Sequence, residues 1–472
     1  MGENCLTVMK LVFKFGGTSL GDASRIRNAC NIIREYLERD NRIVAVCSAM
    51  GETTDLLVGL LDAAEKGHRK RLDSGLEELK SMHVATAAQI VSDSGIRAEA
   101  LKTVEDRFSE LTHILSSIYF LREVTPRSRD LVLSFGERLS TWIVTSTLKS
   151  MDVEAQYFEG GDAGIITDSD FGYATPIMEE TVKNIRAKLS PLLERGVVPV
   201  VTGFIGRTRD GAITTLGRGG SDYTATLLGG ALGVDEVWLW SDVDGLMSSD
   251  PKALKNARVI TQLSYDEALE MAVFGAKGLH PRAIEAARNA GVKVRIKNSF
   301  NPNAPGTLIT RESMGFNNVV KAVLLVRDVA MITVKGASAV GKPGIAAKIL
   351  QNISDRGINI MMISQSVSEA GISLIVKRDI ADKAVGAIQS GNLPAPLREV
   401  ECEKDVVVVA VVGEGMKGTP GVASRVFGAV AKRGINVRMI AQGSSELNIS
   451  FVVKEKDGLE AVKAIHEEYN LS

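Results

Sequence analysis

Cysteine is scarce in this 472-residue chain. Four residues (Cys5, Cys30, Cys47 and Cys402) are too scattered for a disulfide framework or for metal-ligand spacing, and they suit a reducing compartment. Histidine is nearly as sparse, with five residues and no second ligand at helical spacing from His280, so no metal motif is expected. Net charge is almost absent at -1, which leaves no electrostatic footprint for nucleic acid or an anionic membrane. No uninterrupted apolar run is long enough to span a bilayer. The first nine residues lack the basic and apolar regions of a signal peptide, and Leu6 stands where myristoylation needs Ser or Thr. A cytoplasmic globular protein of two or three domains is expected from this length and composition.

Glycine is abundant, and it gathers in loops with charged neighbours. Thr215-Leu216-Gly217-Arg218-Gly219-Gly220-Ser221-Asp222 lies between a β-rich run and an Ala/Leu-rich helical pattern. Glycines let a backbone approach a ligand closely, helix-start amides favour an anion, and an Arg fork suits carboxylate or phosphate. Glycines alone are compatible with any tight strand-to-helix turn; Arg218 and Asp222 in the same loop favour a ligand site.

Residues 11–15 form a short apolar run broken by Lys14 and closed by Gly16-Gly17-Thr18-Ser19; an amphipathic helix follows, then a second buried-type strand at 43–47 ending in Ser48. Such strand–loop–helix units predict a parallel α/β sheet, with the loops at Gly16, Ser48 and Gly217 opening on one side. Lys14 is either a solvated strand-end lysine or a point charge for a phosphate. Asp22 follows where a Walker A loop needs Lys-Ser/Thr, so that loop is disfavoured. Residues 66–123 read as a charged helical subdomain. Phe135-Gly136-Glu137-Arg138-Leu139-Ser140 opens an apolar helix, leaving Glu137 as a first-turn acid or a ligand-binding group. Strands are expected at 197–202 and 236–240; the second runs into Ser241-Asp242-Val243-Asp244-Gly245, a loop suited to a nucleoside or a metal. Gly275-Ala276-Lys277-Gly278 brackets another lysine, and residues 298–306 read as a linker.

Residues 328–377 and 405–454 align without a gap at an offset of about 77, with about 21 of 50 positions identical. Pro343-Gly344 matches Pro420-Gly421, Asn359 matches Asn436, Gln365 matches Gln442, and Ser368-Glu369 matches Ser445-Glu446. Each copy reads as a ferredoxin-like split βαβ unit. Gly413-Glu414-Gly415-Met416-Lys417-Gly418 satisfies a dinucleotide fingerprint, yet the first copy lacks the middle glycine and no ribose-binding acid ends the next strand. A dinucleotide site is therefore rejected.

Taken together, Lys14-Phe15-Gly16-Gly17-Thr18-Ser19, Phe135–Ser140 in the Phe-Gly-Glu-Arg-Leu-Ser segment, the Gly-Arg-Gly-Gly-Ser-Asp loop and Gly275-Ala276-Lys277-Gly278-Leu279-His280-Pro281 resemble aspartokinases. The resemblance implies an amino acid kinase fold, a mainly parallel central sheet between helices, followed by two ferredoxin-like βαββαβ ACT domains. Expected bounds are a catalytic domain at 8–305, a linker at 306–326, and ACT units at 327–397 and 398–472. It implies ATP-dependent phosphorylation of the β-carboxylate of L-aspartate, with Mg²⁺ arriving on the nucleotide. Lys14 would hold the transferred phosphoryl group with Gly16, Gly17 and Ser19, and Asp222 would orient the reacting groups or the magnesium. Ser48, Thr54, Glu137 and Arg218 would hold aspartate, with Glu137 taking the ammonium and Arg218 a carboxylate. Ser241, Asp242, Met247, Lys252, Lys277 and Gly278 match nucleotide-side positions, although many relatives carry an apolar residue where Gly278 stands. Gly344, Ile345, Ala346, Asn359, Gln365 and Gln442 would serve an amino-acid effector. The glutamines resemble the threonine-sensitive branch; alternatively they simply end strands. A homo-oligomer is implied, and no room is left after the second repeat for the homoserine dehydrogenase fused to some relatives. The chemistry agrees: the attacking carboxylate is ionised at neutral pH, since its free pKa is about 4, so no general base is needed. What remains is positioning two anions and neutralising the charge between them.

Overall fold

Leu11, Val12, Phe13 and Phe15 have almost no exposed surface, and neither do residues 43–47, because strands covered on both faces need continuous apolar runs. The computed structural model describes residues 8–276, 278–311, 319–335, 344–365, 371–390 and 399–471. In chain order the first elements are β1 (Lys10–Phe15), α1 (Ala23–Leu37), β2 (Arg42–Cys47), α2 (Thr53–Lys66), α3 (Arg69–Ile90), α4 (Ser94–Leu121), α5 (Pro126–Leu133), α6 (Phe135–Lys149) and β3 (Ala155–Phe158). The path continues through α7 (Gly160–Ala163), β4 (Ile166–Thr167), α8 (Met178–Glu194), β5 (Val198–Thr202), β6 (Ile205–Thr208), β7 (Ile213–Thr215), α9 (Gly220–Leu232) and β8 (Glu236–Ser241). Then come β9 (Gln262–Ser264), α10 (Tyr265–Val273), α11 (Pro281–Ala290), β10 (Lys293–Asn298) and β11 (Thr307–Thr310).

By compactness the chain divides into two units. The first comprises the described residues of Met1–Leu246, Thr261–Leu269 and Lys277–Glu312. Its main sheet has the order β3-β5-β2-β1-β8-β10-β11-β9, parallel from β3 to β10. The chain leaves β1 towards β2 and leaves β8 towards β10, so the strand order reverses between β1 and β8. A crevice at their carboxyl ends is the place for a ligand. Aromatic stacking secures that pair: Phe15 lies on Trp240 with centroids 6.0 Å apart, and Phe13 on Trp238 at 5.1 Å. The helical subdomain expected at 66–123 is α3 and the long α4.

Strand pairing begins inside the segment read as linker. Gly306 (φ +73°) ends the Asn/Pro turn, after which Thr307–Thr310 pairs antiparallel with β10. Residues 322–326, also in that segment, open a longer strand in the second unit. This unit comprises the described residues of Met247–Ile260, Glu270–Ala276 and Ser313–Ser472. It contains β12 (Ala322–Lys335), α12 (Ile345–Ser354), β13 (Met362–Gln365), β14 (Gly371–Lys377), α13 (Ala381–Ser390), β15 (Glu399–Val412), α14 (Val422–Lys432), β16 (Met439–Ala441), β17 (Asn448–Lys454) and α15 (Gly458–Glu468).

The six strands are antiparallel in the order β13-β14-β12-β15-β17-β16. A register break between Val326 and Val329, with Asp328 at φ +57°, splits β12 into two functional halves. Residues 322–326 pair with 408–412, and Val323 packs among Val407, Val409, Val411 and Phe451 of the second repeat. Beyond the break, Ala330, Ile332 and Val334 join the core of the first repeat with Ile345, Ile349 and Leu374. The second repeat thus takes its fourth strand from the chain ahead of the first. Ser248 knits Met247–Ile260 into this unit: its hydroxyl lies 3.0 Å from His466 Nε2 and donates to the Leu471 carbonyl at 3.0 Å. At the false dinucleotide motif, Glu414–Met416 is a single 3-10 turn and the helix begins only at Val422, so no helix start faces those glycines.

Candidate active site

Register alone brings three loops together. Phe15 pairs with Cys47 on one side and Trp240 on the other, so Gly16, Ser48 and Ser241 leave the sheet side by side. The Ser48 amide donates to the Phe15 carbonyl at 3.1 Å, and the Gly51 amide to the Gly17 carbonyl at 3.2 Å. Gly17 is required by this approach: a Cβ there would stand 2.9 Å from the Gly51 carbonyl oxygen and 3.3 Å from that of Ala49.

A cavity of about 300 Å³ opens at this edge, lined by Lys14, Gly17, Ser48, Thr54, Glu137 and the 217–222 loop with Arg218 and Asp222. Gly219, at φ +71°, is the residue before α9, and it sets Asp222 in the first helical turn. The Lys14 ammonium lies 2.6 Å from Asp222 Oδ1, with the two side chains only 13% and 15% exposed. Lys14 is therefore an enclosed charge facing the loop, not a solvated strand-end lysine.

Glu137 is 4% exposed in the first turn of α6. Its Oε1 accepts from the Ala49 amide at 3.1 Å, and its Oε2 is buried with no hydrogen-bond partner among the described residues. Burial pushes this carboxyl up to about 8, against the opposing pull of the Ala49 amide, its own amide and the Lys14 charge. An unpartnered buried carboxylate oxygen in a cavity wall is a ready acceptor for an ammonium group. The Ser140 hydroxyl donates to the Ser48 carbonyl at 2.7 Å, locking α6 to the neighbouring loop.

Other anticipated residues fall in separate places. Gly16 sits beside the lysine, a Cβ there being 3.4 Å from Lys14 Nζ. Ser19 is wound inward by the turn Gly17–Leu20; it is buried, with its hydroxyl 2.9 Å from that of Ser299, and it does not line the cavity. Ser241 donates to Asp242 at 3.2 Å, and a Cβ on Gly278 (φ +88°) would lie 3.8 Å from Ser241 Oγ, so these three gather at the end of β8. Met247 and Lys252 are carried by Met247–Ile260 of the second unit, and their nucleotide-side assignment rests on resemblance. Lys277 lies outside the described residues, as do Pro343 and Ser368-Glu369. His280 packs its ring where a Cβ on Gly219 would be, 2.1 Å from its Cγ. No His/Cys/Asp/Glu group suited to a metal ion occurs among the described residues.

In the second unit Gly344 (φ +87°) precedes α12, with Ile345 and Ala346 as its first residues. Asn359 is exposed, as are Gln365 at the end of edge strand β13 and Gln442 directly after β16. Gly421 repeats the Gly344 geometry at φ +85°.

Two supporting residues were not foreseen. Asp130, fully buried, accepts from the amides of Gly172 (2.9 Å) and Thr215 (2.7 Å) and from the Thr215 hydroxyl (2.8 Å), fixing β7 ahead of the 217–222 loop. Burial raises its carboxyl above the ordinary value. Its single signal is an acid set against the apolar run Leu131-Val132-Leu133. The other is Arg282, which shared its stretch with better-marked neighbours.

The amino acid kinase family matches residues 9–298, and the ACT domain matches residues 332–391 and 409–469. Fold and site thus define an amino acid kinase that carries a pair of ACT repeats. The chain is 34% identical over 471 residues to Aspartokinase 1, chloroplastic, of Arabidopsis thaliana, covering 97% of this chain and 80% of that protein. E. coli aspartokinase III in complex with aspartate and ADP matches at a TM-score of 0.80 and 29% identity, over 97% of this chain and 99% of that one. The same enzyme in complex with lysine and aspartate matches at 0.81, with 29% identity and the same coverage. The chain belongs to the aspartokinase family, and is accordingly an ATP-dependent aspartate kinase. No described helix is long and apolar enough to cross a membrane.

Proposed function

We propose that the first unit transfers the γ-phosphoryl group of ATP to the β-carboxylate of L-aspartate, giving 4-phospho-L-aspartate. This is the first step towards lysine, threonine and methionine. The observation that carries the reading is one cavity walled by Lys14, Glu137, Arg218 and Asp222. Glu137 takes the aspartate ammonium on its unpartnered oxygen, and Arg218 takes the α-carboxylate by a charge-assisted fork. Ser48 and Thr54 close the pocket. The β-carboxylate attacks as the anion, so the remaining requirement is to hold two anions together. Lys14 supplies the positive charge between them, with Gly16 and Gly17 exposing backbone beside it. Ser19 supports that turn from behind, and Ser241, Asp242 and Gly278 serve the nucleotide.

The donor set fits Mg²⁺ carried by the nucleotide: Asp222 offers one hard carboxylate beside a tight glycine turn, and such ions keep few protein ligands. Bound there, Mg²⁺ would neutralise phosphate charge. We further propose feedback inhibition through the ACT pair by threonine, with Gln365, Gln442, Asn359 and the Gly344-Ile345-Ala346 turn as contacts. E. coli aspartokinase III was solved with lysine; the paired glutamines support threonine for this chain. Pairing of ACT repeats between copies gives a homo-oligomer, and the free Cys30, Cys47 and Cys402 suit the reducing cytoplasm.

ADP release is to be measured with aspartate, with glutamate and with neither. Aspartate-dependent release is expected. Activity with glutamate alone overturns the substrate assignment, and no release with either indicates a sensor that kept the fold as a scaffold.

A further inference from the structure

One guanidinium touches the 217–222 loop from both ends. Arg282 is the second residue of α11, and its Nη1 donates to the Leu216 carbonyl at 2.6 Å, immediately before Gly217. Its Nη2 donates to the Ala174 carbonyl at 3.2 Å. The same group lies over the rings of Tyr173 (4.2 Å) and Tyr223 (4.6 Å). Tyr223 directly follows Asp222. Tyr173 covers Gly217, where a Cβ would meet its ring at 2.6 Å.

The loop needs such a brace. Gly217 and Gly219 both sit at positive φ, +75° and +71°, and glycine carries the largest backbone freedom of any residue. Inside the turn the ties are short-range backbone bonds, such as the Gly220 amide to the Gly217 carbonyl at 2.9 Å. A cation donating to a carbonyl is a stronger tie than a neutral pair, and stacking between two tyrosines keeps this one in place.

We propose that Arg282 is a positioning residue for the amino-acid substrate: by gripping Leu216 and stacking on Tyr173 and Tyr223, it holds the 217–222 loop so that Arg218 and Asp222 face the cavity. Its effect is exerted through Arg218, and the inference therefore rests on the reading of Arg218 as the substrate-carboxylate ligand. Arg282 also lines a separate cavity of about 450 Å³ with Arg186, Tyr223 and Glu285, and this is the route offered to a small cation in a variant that lacks the guanidinium.

Steady-state kinetics of the full chain, with aspartate and ATP varied separately, test this in Arg282→Ala and Arg282→Lys. Losing a charged hydrogen bond corresponds to roughly tenfold to a hundredfold in an equilibrium, so Arg282→Ala is expected to raise KM for aspartate by that factor. KM for ATP should stay near the wild-type value, with kcat falling less than kcat/KM for aspartate. Lysine, with one point charge in place of a two-pronged fork, should recover part of the loss. Millimolar guanidinium chloride, entering from the second cavity, should lower KM for aspartate in Arg282→Ala and leave the wild type unaffected. An unchanged KM for aspartate overturns the proposal. So does a parallel rise in both KM values that neither lysine nor guanidinium reverses, since that marks a general packing defect. If the alanine variant fails to fold, Arg282→Lys and Arg282→Gln decide by the same ratio of KM values. Wild-type protein lacking aspartate-dependent ADP release would instead sink the substrate reading itself, a failure visible before any variant is made.

Discussion

Glu137 should make aspartate binding sensitive to pH on the alkaline side of neutrality. Its carboxyl is buried, keeps one oxygen unpartnered, and is pushed up to about 8 by desolvation. An ammonium ligand requires the ionised form. With a pKa near 8 in the free enzyme, about one molecule in eleven is competent at pH 7, so the apparent affinity is roughly tenfold below its limit. The plot of log kcat/KM for aspartate against pH should rise with unit slope from about pH 6 and bend near 8. Once aspartate is bound, its ammonium holds Glu137 ionised, so kcat should stay nearly level across the same range. KM for ATP, measured in parallel, separates this limb from titration of the nucleotide phosphates. Glu137→Gln should abolish the limb and weaken kcat/KM by about 10²-fold or more, as expected when a buried charge pair worth roughly 3–5 kcal/mol is broken. A kcat/KM profile that is level from pH 6 to 9, or one that bends near the ordinary carboxyl value, would refute the raised carboxyl, and wild-type kcat/KM for aspartate in Glu137→Gln would refute the ammonium assignment.

The same group fixes the sign of a stability effect. The folded-state value lies above the unfolded one, so between about 4.5 and 8 the native protein binds the extra proton, and stability falls as pH rises. Below that window the carboxyl is neutral in both states and imposes no penalty. Above it the penalty is complete, at most about 5 kcal/mol. Glu137→Gln should therefore raise Tm of the ligand-free enzyme at pH 8 and approach the wild type near pH 5. Saturating aspartate should favour the wild type at pH 8. An equal Tm difference at both pH values would show that burial of the charge is not the cause.

Three further outcomes are expected. Gly17→Ala must push apart two loops that leave the added Cβ 2.9 Å from a carbonyl oxygen, and should lower stability by about 1–3 kcal/mol in urea unfolding together with kcat. Wild-type stability in that variant would mean the loops yield freely. Lys14→Met should lower kcat by about 10²–10³-fold at nearly unchanged KM for aspartate if the enclosed charge facing Asp222 stabilises the transferred phosphoryl group as proposed; a change confined to KM for aspartate would assign Lys14 to substrate binding instead. Gln365→Ala should raise the threonine concentration for half-inhibition by about tenfold, the size of one lost hydrogen bond, with basal activity kept. Inhibition identical to wild type would leave Gln365 as a strand-end residue without a ligand.

The parts of the site that could be read from residues alone are those whose chemistry is local in the chain. Lys14 beside two glycines, Glu137 opening an apolar helix, and Arg218 with Asp222 each stand out within a few positions, and they line one cavity although only Lys14 comes from the parallel sheet, Glu137 opening α6 and Arg218 following β7 of a separate three-stranded sheet. The braces behind them have no such signature. Asp130 reaches Thr215 across 85 positions, and Arg282 reaches Leu216 across 66, so each looks like an ordinary charge on a helix until the fold closes. The exchanged strand was hidden for a related reason. Residues 322–326 pair with 408–412 ahead of a register shift that contains Asp328 at φ +57°, and a repeat alignment that begins at that residue cannot see what precedes it. On the proposed reading, local chemistry supplies the groups that meet the ligands, while long-range contacts from Asp130 and Arg282 fix the strand and loop that present them. By that division Lys14→Met should be felt first in kcat and Arg282→Ala first in KM for aspartate.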